Sequence, residues 1–595
     1  MTLLLDRRYP RSLETLTRDI LARHAAGERF GPVEAWLFED AAARRAAEAR
    51  LAAAGLHVRI RSALKPLVTW AMEDLDRDGL TGLDIRYPRH EAAPERRFLL
   101  EAWPLAEILP GIAVRFHPGP EGDMPAYRAT LTRRDGSTED HVILAPNRLH
   151  PDTTGETALS PTGWLRVTGP DGQPVEDRAL TTEVETLLAD GIAALADHPW
   201  PAETPHFERL SIRADLPQAE TPLPHGSEVI SLQEALHEEF YFATIELLQR
   251  RAGLAPGDRS HRPGQIAPDI RRGPEARLTI SLEPLDASDT AGPAQALGTA
   301  GRALTPAQVG AELAAITGAP FGATSRAGRP VAGRYRAGRD PAVILSAGQH
   351  ANETSGVVGI LRAAKILDAA PDSHFALIPV KNPDGYAQHR ALTAQNPFHM
   401  HHAARYTALG DDLMARSEPL FERAAMAEAQ RLSGADLHIN LHGYPAHEWI
   451  RPWSGYLPRG FAAWTIPKGF FLILRHRADW RAQAEAFLDA TIARLAALPA
   501  LMAFNRAQIA ACETYAGPGG FRMVNGFPCL VSAEADAPAG TMPLPAMTLI
   551  TEFPDETIEG DDFRFAHDMQ TEATLAAYSA YRAMAAQPFP GARAI

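Results

Sequence analysis

Cysteine is nearly absent from this sequence, with only Cys512 and Cys529 among 595 residues. Two thiols cannot form a disulfide framework or a four-cysteine zinc site. No apolar run is long enough to span a bilayer, since the candidate at 469–474 is bounded by Lys468 and Arg475. The N-terminus also lacks the basic segment and long apolar run of a secretory signal. We therefore expect a cytoplasmic protein that does not act on a membrane.

Basic residues are outnumbered by acidic ones, 59 against 73, which gives a formal net charge of −14. That balance disfavours nucleic acid and anionic membranes as partners. A glycine-rich phosphate loop is also missing after the first predicted strands, so nucleotide binding has no support. With 45% hydrophobic and 22% charged residues, the composition is that of an ordinary globular protein. The length is enough for two to four domains.

The spacing of apolar residues divides the chain into three predicted parts of α/β class. Residues 1–115 read as an α/β module. Residues 116–300 read as a β-rich accessory module with a helical connector. Residues 301–595 alternate buried strands with helices, which predicts a mixed, largely parallel sheet flanked by helices. Buried strands are predicted in this third part at 343–347, 375–379 and 437–441.

Side chains that suit zinc follow the strand ends of the third part, where functional groups gather in such sheets. His350 and Glu353 come after the first strand, and His442 comes directly after the third. Glu552 follows a later apolar run at 547–551. Two imidazoles and a carboxylate leave a fourth position on zinc for water, which the metal acidifies. A further carboxylate can take the proton of that water and deliver it to a leaving amine.

Two other histidine patterns compete as metal ligands. His438 lies four residues before His442, so strand alternation puts both side chains on the same side. Its position in the middle of the strand favours a buried structural histidine. The tract at 399–402 contains three histidines, and we interpret it as a solvated loop, with a loop that lines the mouth of the site as the alternative.

Five segments occur together in the order of one known enzyme family. They are Ser-Arg-Ala-Gly-Arg-Pro at 325–330, Gly-Gln-His-Ala-Asn-Glu at 348–353, Asn-Pro-Asp-Gly-Tyr at 382–386, Asn-Leu-His-Gly at 440–443, and the late glutamate Glu552. Residues 302 to about 580 thus resemble the zinc metallocarboxypeptidases, also called funnelins. The resemblance implies a carboxypeptidase-like fold and one zinc ion held by His350, Glu353 and His442. It also implies that Glu552 is the general base.

The resemblance assigns the remaining roles as follows. Arg405 matches the arginine that polarises the scissile carbonyl, with Arg390 as its competitor. Tyr515 matches the family's mobile tyrosine, and Asn382, in the third matched segment, is assigned to substrate binding. Glu534 competes with Glu552 for the role of the base.

One segment departs from the family pattern. Where the family has an asparagine and an arginine that bind the substrate's terminal carboxylate, this chain has Met414 and Ala415. Neither side chain can bind a carboxylate. Arg416 stands one position later, and we assign it to substrate binding after a local shift. Because an arginine clamp is sensitive to position, the departure weakens the prediction of C-terminal exopeptidase action.

Three functions follow from these patterns and stay open at this point. The first is a zinc metallopeptidase of carboxypeptidase type that cuts a C-terminal or near-terminal bond of a peptide. The second is a zinc-dependent deacylase or amidase that acts on N-acyl amino acids or related small amides. The third is a non-catalytic binding protein on the same fold. The first 300 residues show no functional pattern, and nothing predicts the oligomeric state.

Overall fold

In the computed structural model, the described residues are 1–122, 124–289, 291–534 and 545–585. The described helices before residue 300 are α1 (Ser12–Ala25), α2 (Ala41–Ala52), α3 (Pro66–Glu73), α4 (Arg97–Glu101), α5 (Glu183–Asp197) and α6 (Leu232–Arg251). The described strands of this region are β1 (Thr2–Tyr9), β2 (Val33–Leu37), β3 (Val58–Ser62), β4 (Leu80–Arg89), β5 (Ala113–Glu121), β6 (Ala126–Arg133), β7 (Thr138–Leu144), β8 (Asn147–Pro151), β9 (Thr157–Pro161), β10 (Trp164–Thr168), β11 (Pro174–Ala179), β12 (Arg209–Leu216), β13 (Thr221–Pro222), β14 (Val229–Ile230), β15 (Gln265–Arg272) and β16 (Ala276–Glu283).

The second region follows residue 300. Its described helices are α7 (Pro306–Ala314), α8 (Ser355–Asp368), α9 (Pro383–Thr393), α10 (Arg423–Ser433), α11 (Arg481–Leu495), α12 (Pro499–Ala516) and α13 (Gly560–Ala585). Its described strands are β17 (Ala319–Thr324), β18 (Pro330–Arg336), β19 (Val343–Ser346), β20 (Phe375–Ile378), β21 (Leu437–Pro445), β22 (Phe471–Arg477), β23 (Arg522–Val524), β24 (Phe527–Glu534) and β25 (Met547–Glu556).

The first region contains three four-stranded sheets, with the orders β1-β16-β12-β15, β11-β10-β2-β3 and β5-β4-β6-β7. The predicted boundary between residues 115 and 116 does not match them, because it falls inside β5, which pairs with β4. In addition, β1 pairs with β16 at the other end of the region. Strand partners are set by the burial of apolar faces, as where Ile212 lies opposite Ile280. The first 300 residues therefore do not form two consecutive modules.

The second region is built on one nine-stranded sheet with the order β17-β18-β20-β19-β21-β25-β22-β24-β23. The central strands β20, β19, β21 and β25 are parallel. Antiparallel pairing of β18 with β20 and of β22 with β25 makes the sheet mixed. The predicted mixed sheet with flanking helices is observed, but it is not largely parallel, because four of its eight described strand pairs are antiparallel.

The two faces of this sheet differ in what covers them. One face is apolar, and α8, α11 and α13 pack on it. On the other face, α10 packs mainly against β17, β18 and β20. The part of that face formed by β21, β25 and β22 carries polar side chains and lines a cavity. The sheet therefore leaves a polar floor next to the C-terminal ends of its central parallel strands.

Helix α6 connects the two regions through buried carboxylates. Glu238 accepts hydrogen bonds from the indole of Trp449 (2.8 Å) and from the backbone N–H of His402 (3.2 Å). Glu246 forms a double ion pair with Arg451 at 2.7 and 3.0 Å. Buried carboxylates are stable only when paired in this way. The first region thus fixes two loops of the second region, at 398–406 and 446–461.

Among the described residues, no single helix passes the length and hydropathy test for a membrane span. One pair passes it jointly, Ala478–Leu495 with Pro499–Ala516, but the two are bent by 102° at the break. Both cysteines are free and buried.

His447 gives the loop after β21 a pH-dependent link to α6. Its Nε2 lies 3.2 Å from a carboxylate oxygen of Glu234, and its Nδ1 lies 2.8 Å from the carbonyl oxygen of Glu448. Burial lowers the pKa of His447, but the charge of Glu234 more than offsets this and raises the pKa to about 10. The unfolded value is about 6.5. The pair therefore stabilises the fold fully below pH 6.5, and its contribution is lost as the pH rises toward 10.

We expect His447→Gln to lower the urea unfolding midpoint at pH 6.5 and to have a much smaller effect at pH 9.5. The measurement is urea unfolding of both proteins at the two pH values. His90→Gln is the control, because the ring of His90 accepts only a local backbone hydrogen bond from Ala92. An effect of His447→Gln that is equal at both pH values would contradict the ion pair.

Candidate metal centre

Three side chains converge at the ends of two neighbouring parallel strands. His350 and Glu353 lie in the turn between β19 and α8, and His442 lies in β21. Because Ser346 pairs with Asn440 in parallel register, both strands deliver their next residues to the same edge. The ligand-type atoms of His350, Glu353 and His442 all lie within 4.8 Å of one another, and all three residues are buried.

The turn that carries two of these side chains depends on a glycine. Gly348 has φ +58°, a conformation that side-chain-bearing residues rarely adopt. A Cβ at this position would lie 3.2 Å from the Cα of Val380. The backbone can therefore turn sharply out of the sheet and bring His350 and Glu353 back over its edge.

Glu353 lies between the two imidazoles. One of its oxygens is 2.7 Å from His350 Nδ1, and the other is 2.8 Å from His442 Nδ1. The two Nδ1 atoms are 3.0 Å apart. Ligands in a tetrahedral zinc site lie about 3.4 Å from one another, so small outward shifts make room for an ion. Two imidazoles and one carboxylate form the donor set of a zinc site that keeps one position open, and the residues fit that metal.

The outward nitrogen of each imidazole meets a second polar group. His350 Nε2 lies 3.7 Å from a carboxylate oxygen of Asp412, and His442 Nε2 lies 2.7 Å from the side-chain amide of Asn440. An acceptor such as the Asp412 carboxylate orients the ring of a metal-ligating histidine by taking its outward N–H, whereas the group of Asn440 that faces His442 is its side-chain nitrogen. Sequence reasoning gave these two residues no role. The available signal was the alternation of His438, Asn440 and His442 along an otherwise apolar strand.

The protonation states of the cluster suit metal binding. Burial raises the pKa of Glu353, but the charges of His350 and His442 more than offset it and hold that pKa far below its usual range. Burial lowers the pKa of His442 to about 4, and the charge of Glu353 offsets this only in part. At neutral pH the carboxylate is therefore ionised and the His442 imidazole is neutral, as metal ligands must be.

Glu552 lies beside the cluster on the adjacent strand. It pairs with His442 in the parallel register of β21 and β25, so its side chain faces the same cavity. Burial and then the negative charge of Glu353 raise the pKa of Glu552 well above its usual value. A carboxyl group beside a metal-type cluster with a pKa raised in this way is a candidate general acid or base.

Arg405 reaches the cluster from the loop that α6 supports. Its guanidinium donates a hydrogen bond to Glu353 at 3.0 Å and lies 5.7 Å from the ring centre of Phe461. Asn382 supports this loop rather than the cavity. Its side chain caps α9 by accepting a bond from the N–H of Gly385, and it donates to the carbonyl oxygen of Tyr406 at 3.0 Å. The geometry therefore gives Asn382 a positioning role in place of the predicted substrate contact.

Arg416 lies outside the cavity. Its fully buried guanidinium forms ion pairs with Asp411 and Glu422 and donates to the hydroxyl of Thr407. An arginine paired with two buried carboxylates is not available to a substrate, so the predicted local shift does not occur. Met414, one of the two substituted positions, lines the cavity wall.

Tyr515 also lies away from the cluster. Its hydroxyl donates to a carboxylate oxygen of Glu107 at 2.8 Å and accepts a bond from the N–H of Ala106 at 2.8 Å. Its ring packs against Trp103 and Phe116. The geometry places it in a core shared with the first region, a contact that its glycine-rich sequence neighbourhood did not indicate.

The residues that the sequence offered as alternatives for these roles lie in different parts of the fold. Arg390 donates to the carbonyl oxygens of Ala303 and Leu304 and does not line the metal cavity. The side chain of Glu534 lies outside the described residues. His438 lines the cavity floor, where its Nε2 lies 2.7 Å from the hydroxyl of Ser346. Of the histidine tract at 399–402, the cavity-lining histidine is His402.

A cavity of about 300 Å³ opens on the cluster. Its floor is the polar sheet face, with His438, Asn440, His442, Thr548, Ile550, Glu552, Ile473 and Arg475. Its other walls include Lys381, Asp412, Met414, Arg423, Met426 and Gln430, together with Arg259, His402, Trp449 and Phe461 near the metal end. Arg259 comes from the first region, so this part of the chain contributes to the site.

The comparisons with known proteins give only distant likenesses. No protein-family model and no curated protein matches the chain. The chain is similar to a metallo-carboxypeptidase from Burkholderia cenocepacia, at 14% identity over 52% of this chain and 72% of that chain, with a TM-score of 0.31. It is also similar to the murein-tripeptide amidase MpaA from Escherichia coli O157, at 14% identity over 46% and 95% of the chains, with a TM-score of 0.23. Both TM-scores are below 0.5, so neither likeness indicates what this chain does.

Removing one histidine of the cluster tests the metal centre. We expect the purified protein to bind about one zinc ion per chain and His442→Ala to lose it after dialysis, because two donors cannot retain the ion. Metal analysis by mass spectrometry checks this. His438→Ala is the matched control, since His438 lies on the same face of the same strand and should leave the zinc content unchanged. Equal zinc in both variants would contradict the assigned ligands.

Proposed function

We propose that this chain is a zinc-dependent metallohydrolase of carboxypeptidase type that cleaves an amide bond at or near the C-terminus of a peptide. The observation that supports it is the convergence of His350, Glu353 and His442 with Glu552 on one cavity. The donor set leaves a coordination position open, and an ionisable carboxylate lies on the neighbouring strand. A purely structural metal site would be closed by a fourth protein ligand.

The three ligands would hold one zinc ion, which would polarise a carbonyl and acidify a water molecule when bound. Glu552 then has the role of the general base. Its carboxylate takes a proton from the attacking water as the water oxygen bonds to the amide carbon. The same group returns the proton to the amide nitrogen as the carbon–nitrogen bond breaks, so the amine leaves neutral. The products are a carboxylic acid and an amine.

Arg405 supplies positive charge beside the reacting carbonyl. Its side chain is 15% exposed, and its guanidinium donates a hydrogen bond to Glu353 of the cluster. The negative charge of Glu353 keeps the pKa of Arg405 raised against the effect of burial, so the side chain stays charged. A fixed cation there stabilises the negative charge that develops on the carbonyl oxygen.

A second candidate is a deacylase or amidase of N-acyl amino acids or related small amides. The missing clamp for a terminal carboxylate favours this second candidate. Met414 and Ala415 offer no cation, and Arg416 is paired with two buried carboxylates. The two candidates share the metal centre and the base, so they differ in substrate and not in chemistry.

Replacing the base separates catalysis from binding. We expect Glu552→Gln to keep its zinc and to lose about 10²- to 10⁴-fold in kcat/KM for amide hydrolysis, because the amide cannot accept the proton. Glu556→Gln is the matched comparison. Glu556 also lines the cavity, but it accepts a hydrogen bond from the side chain of Asn352 at 2.8 Å. A larger loss in Glu556→Gln than in Glu552→Gln would reverse the assignment of the base.

The substrate panel should contain peptides with free and with amidated C-termini, and N-acyl amino acids. Preferential cleavage of free-carboxylate peptides supports the peptidase, and preferential cleavage of N-acyl amino acids supports the deacylase. If zinc is bound, no amide of the panel is cleaved and Glu552→Gln changes nothing measurable, the protein binds ligands without hydrolysing them.

A further inference from the structure

The charges on the cavity wall are unevenly distributed. At the metal end, Arg405 pairs with Glu353 at 3.0 Å, and Arg259 lies 3.8 Å from Asp412. The described carboxylates that line the cavity are Asp412, Glu552 and Glu556. Two other cations that line the cavity, Lys381 and Arg423, form no ion pair with a described residue.

Lys381 is the first of these cations. It is 1% exposed, follows β20 and lines the cavity. Its ammonium group donates to the amide oxygens of Gln349 at 2.7 Å and Asn440 at 2.9 Å, and no described carboxylate lies within ion-pair distance. Burial lowers the pKa of Lys381 to about 7, and the charges of Asp412 and Glu353, which are beyond ion-pair distance, offset this only in part. A buried ammonium group with neutral partners alone is costly, and an anion in the cavity would remove that cost.

Arg423 is the second cation. It is the first residue of α10, and it shares the cavity-facing side of that helix with Met426 and Gln430 at positions i+3 and i+7. Its side chain is partly exposed and makes no ion pair or hydrogen bond with another described residue. A guanidinium group in this position can bind a carboxylate in a bidentate manner.

Lys381 is linked to the metal cluster through one residue of the sheet floor. Lys381 contacts Asn440, which lies two residues before the ligand His442 on β21 and touches its ring at 2.7 Å. Successive residues on one face of a strand are about 7 Å apart. A substrate bound at the metal cluster could therefore place a carboxylate beside Lys381 if only a short fragment separates that carboxylate from the scissile bond.

We propose that Lys381 and Arg423 form an anion site that binds a carboxylate of the substrate, close to the bond that is cleaved. The inference rests on the proposed hydrolase function and narrows its substrates to amides that carry a free carboxylate near the scissile bond. The carboxylate can belong to the leaving amino acid or to the acyl group. It takes the place of the clamp that Met414 and Ala415 cannot form.

Carboxylate binding to the zinc-loaded full chain tests the site without any turnover. The probe is N-acetylglycine, titrated by calorimetry. We expect Lys381→Met and Arg423→Met each to weaken its binding by about tenfold or more, since each variant loses a charged hydrogen-bond donor to the carboxylate. Arg431→Met is the matched control, because Arg431 lies on the same helix but pairs with Glu428 at the surface. Equal affinity in all four proteins, or no binding to the wild type, would overturn the proposal.

Zinc content must be measured for each variant, because Lys381 contacts Asn440 and a loss of zinc would weaken binding indirectly. Arg423→Met keeps the test valid in that case, since Arg423 has no contact with the cluster or with the partners of its ligands. Loss of probe binding in Arg423→Met with unchanged zinc supports the anion site. If probe binding follows these expectations while no amide is cleaved, the anion site stands and the proposed hydrolase function fails.

Kinetics then identify the source of the carboxylate. One substrate has its carboxylate on the leaving amino acid, and the other has it at the far end of the acyl group. For the correct class, Lys381→Met should raise KM about tenfold and change kcat much less, while the matching carboxamide substrate shows no dependence on Lys381. A KM that is unchanged for both substrates would contradict a role of Lys381 in substrate binding.

Discussion

The buried carboxylate of Glu353 is the group around which the other parts of the site are arranged. It lies within 3.0 Å of two imidazole nitrogens and of the Arg405 guanidinium. Without such partners a carboxylate in this position would be strongly destabilising. Three separate parts of the chain must therefore meet at this point: the turn after β19, the strand β21, and the loop that ends at Arg405.

The loop that carries Arg405 is not part of the sheet. Hydrogen bonds from other parts of the chain hold it in position. Asn382 binds the carbonyl oxygen of Tyr406, and α6 binds the backbone of His402 through Glu238. The first 300 residues are thus part of the architecture of the candidate site, although they carry no recognisable motif. They fix the loops above the cavity through buried carboxylates, and Arg259 adds one cation to the wall.

The sequence predicted the parts of this site that depend on local patterns. Apolar runs that end in a histidine or a glutamate identified His350, His442 and Glu552, because parallel strands bring their C-terminal ends to one edge. The pairing of β1 with β16 could not be foreseen, since it joins strands about 270 residues apart through the burial of apolar faces. Arg416 and Tyr515 show the limit of comparing motifs, because in each case the neighbours in space determine the role. Lys381 carried no signal, since a lysine in a turn is usually solvated.

The proposed chemistry depends on a zinc ion that is bound by two imidazoles and a carboxylate of this chain. X-ray absorption at the zinc edge of the zinc-loaded protein can identify these ligands, because the spectrum reports the atoms around the metal. We expect a first shell of nitrogen and oxygen at about 2.0–2.2 Å, with the multiple-scattering pattern of two imidazole rings. A shell that contains sulfur at about 2.3 Å, or an oxygen shell without imidazole scattering, would contradict it.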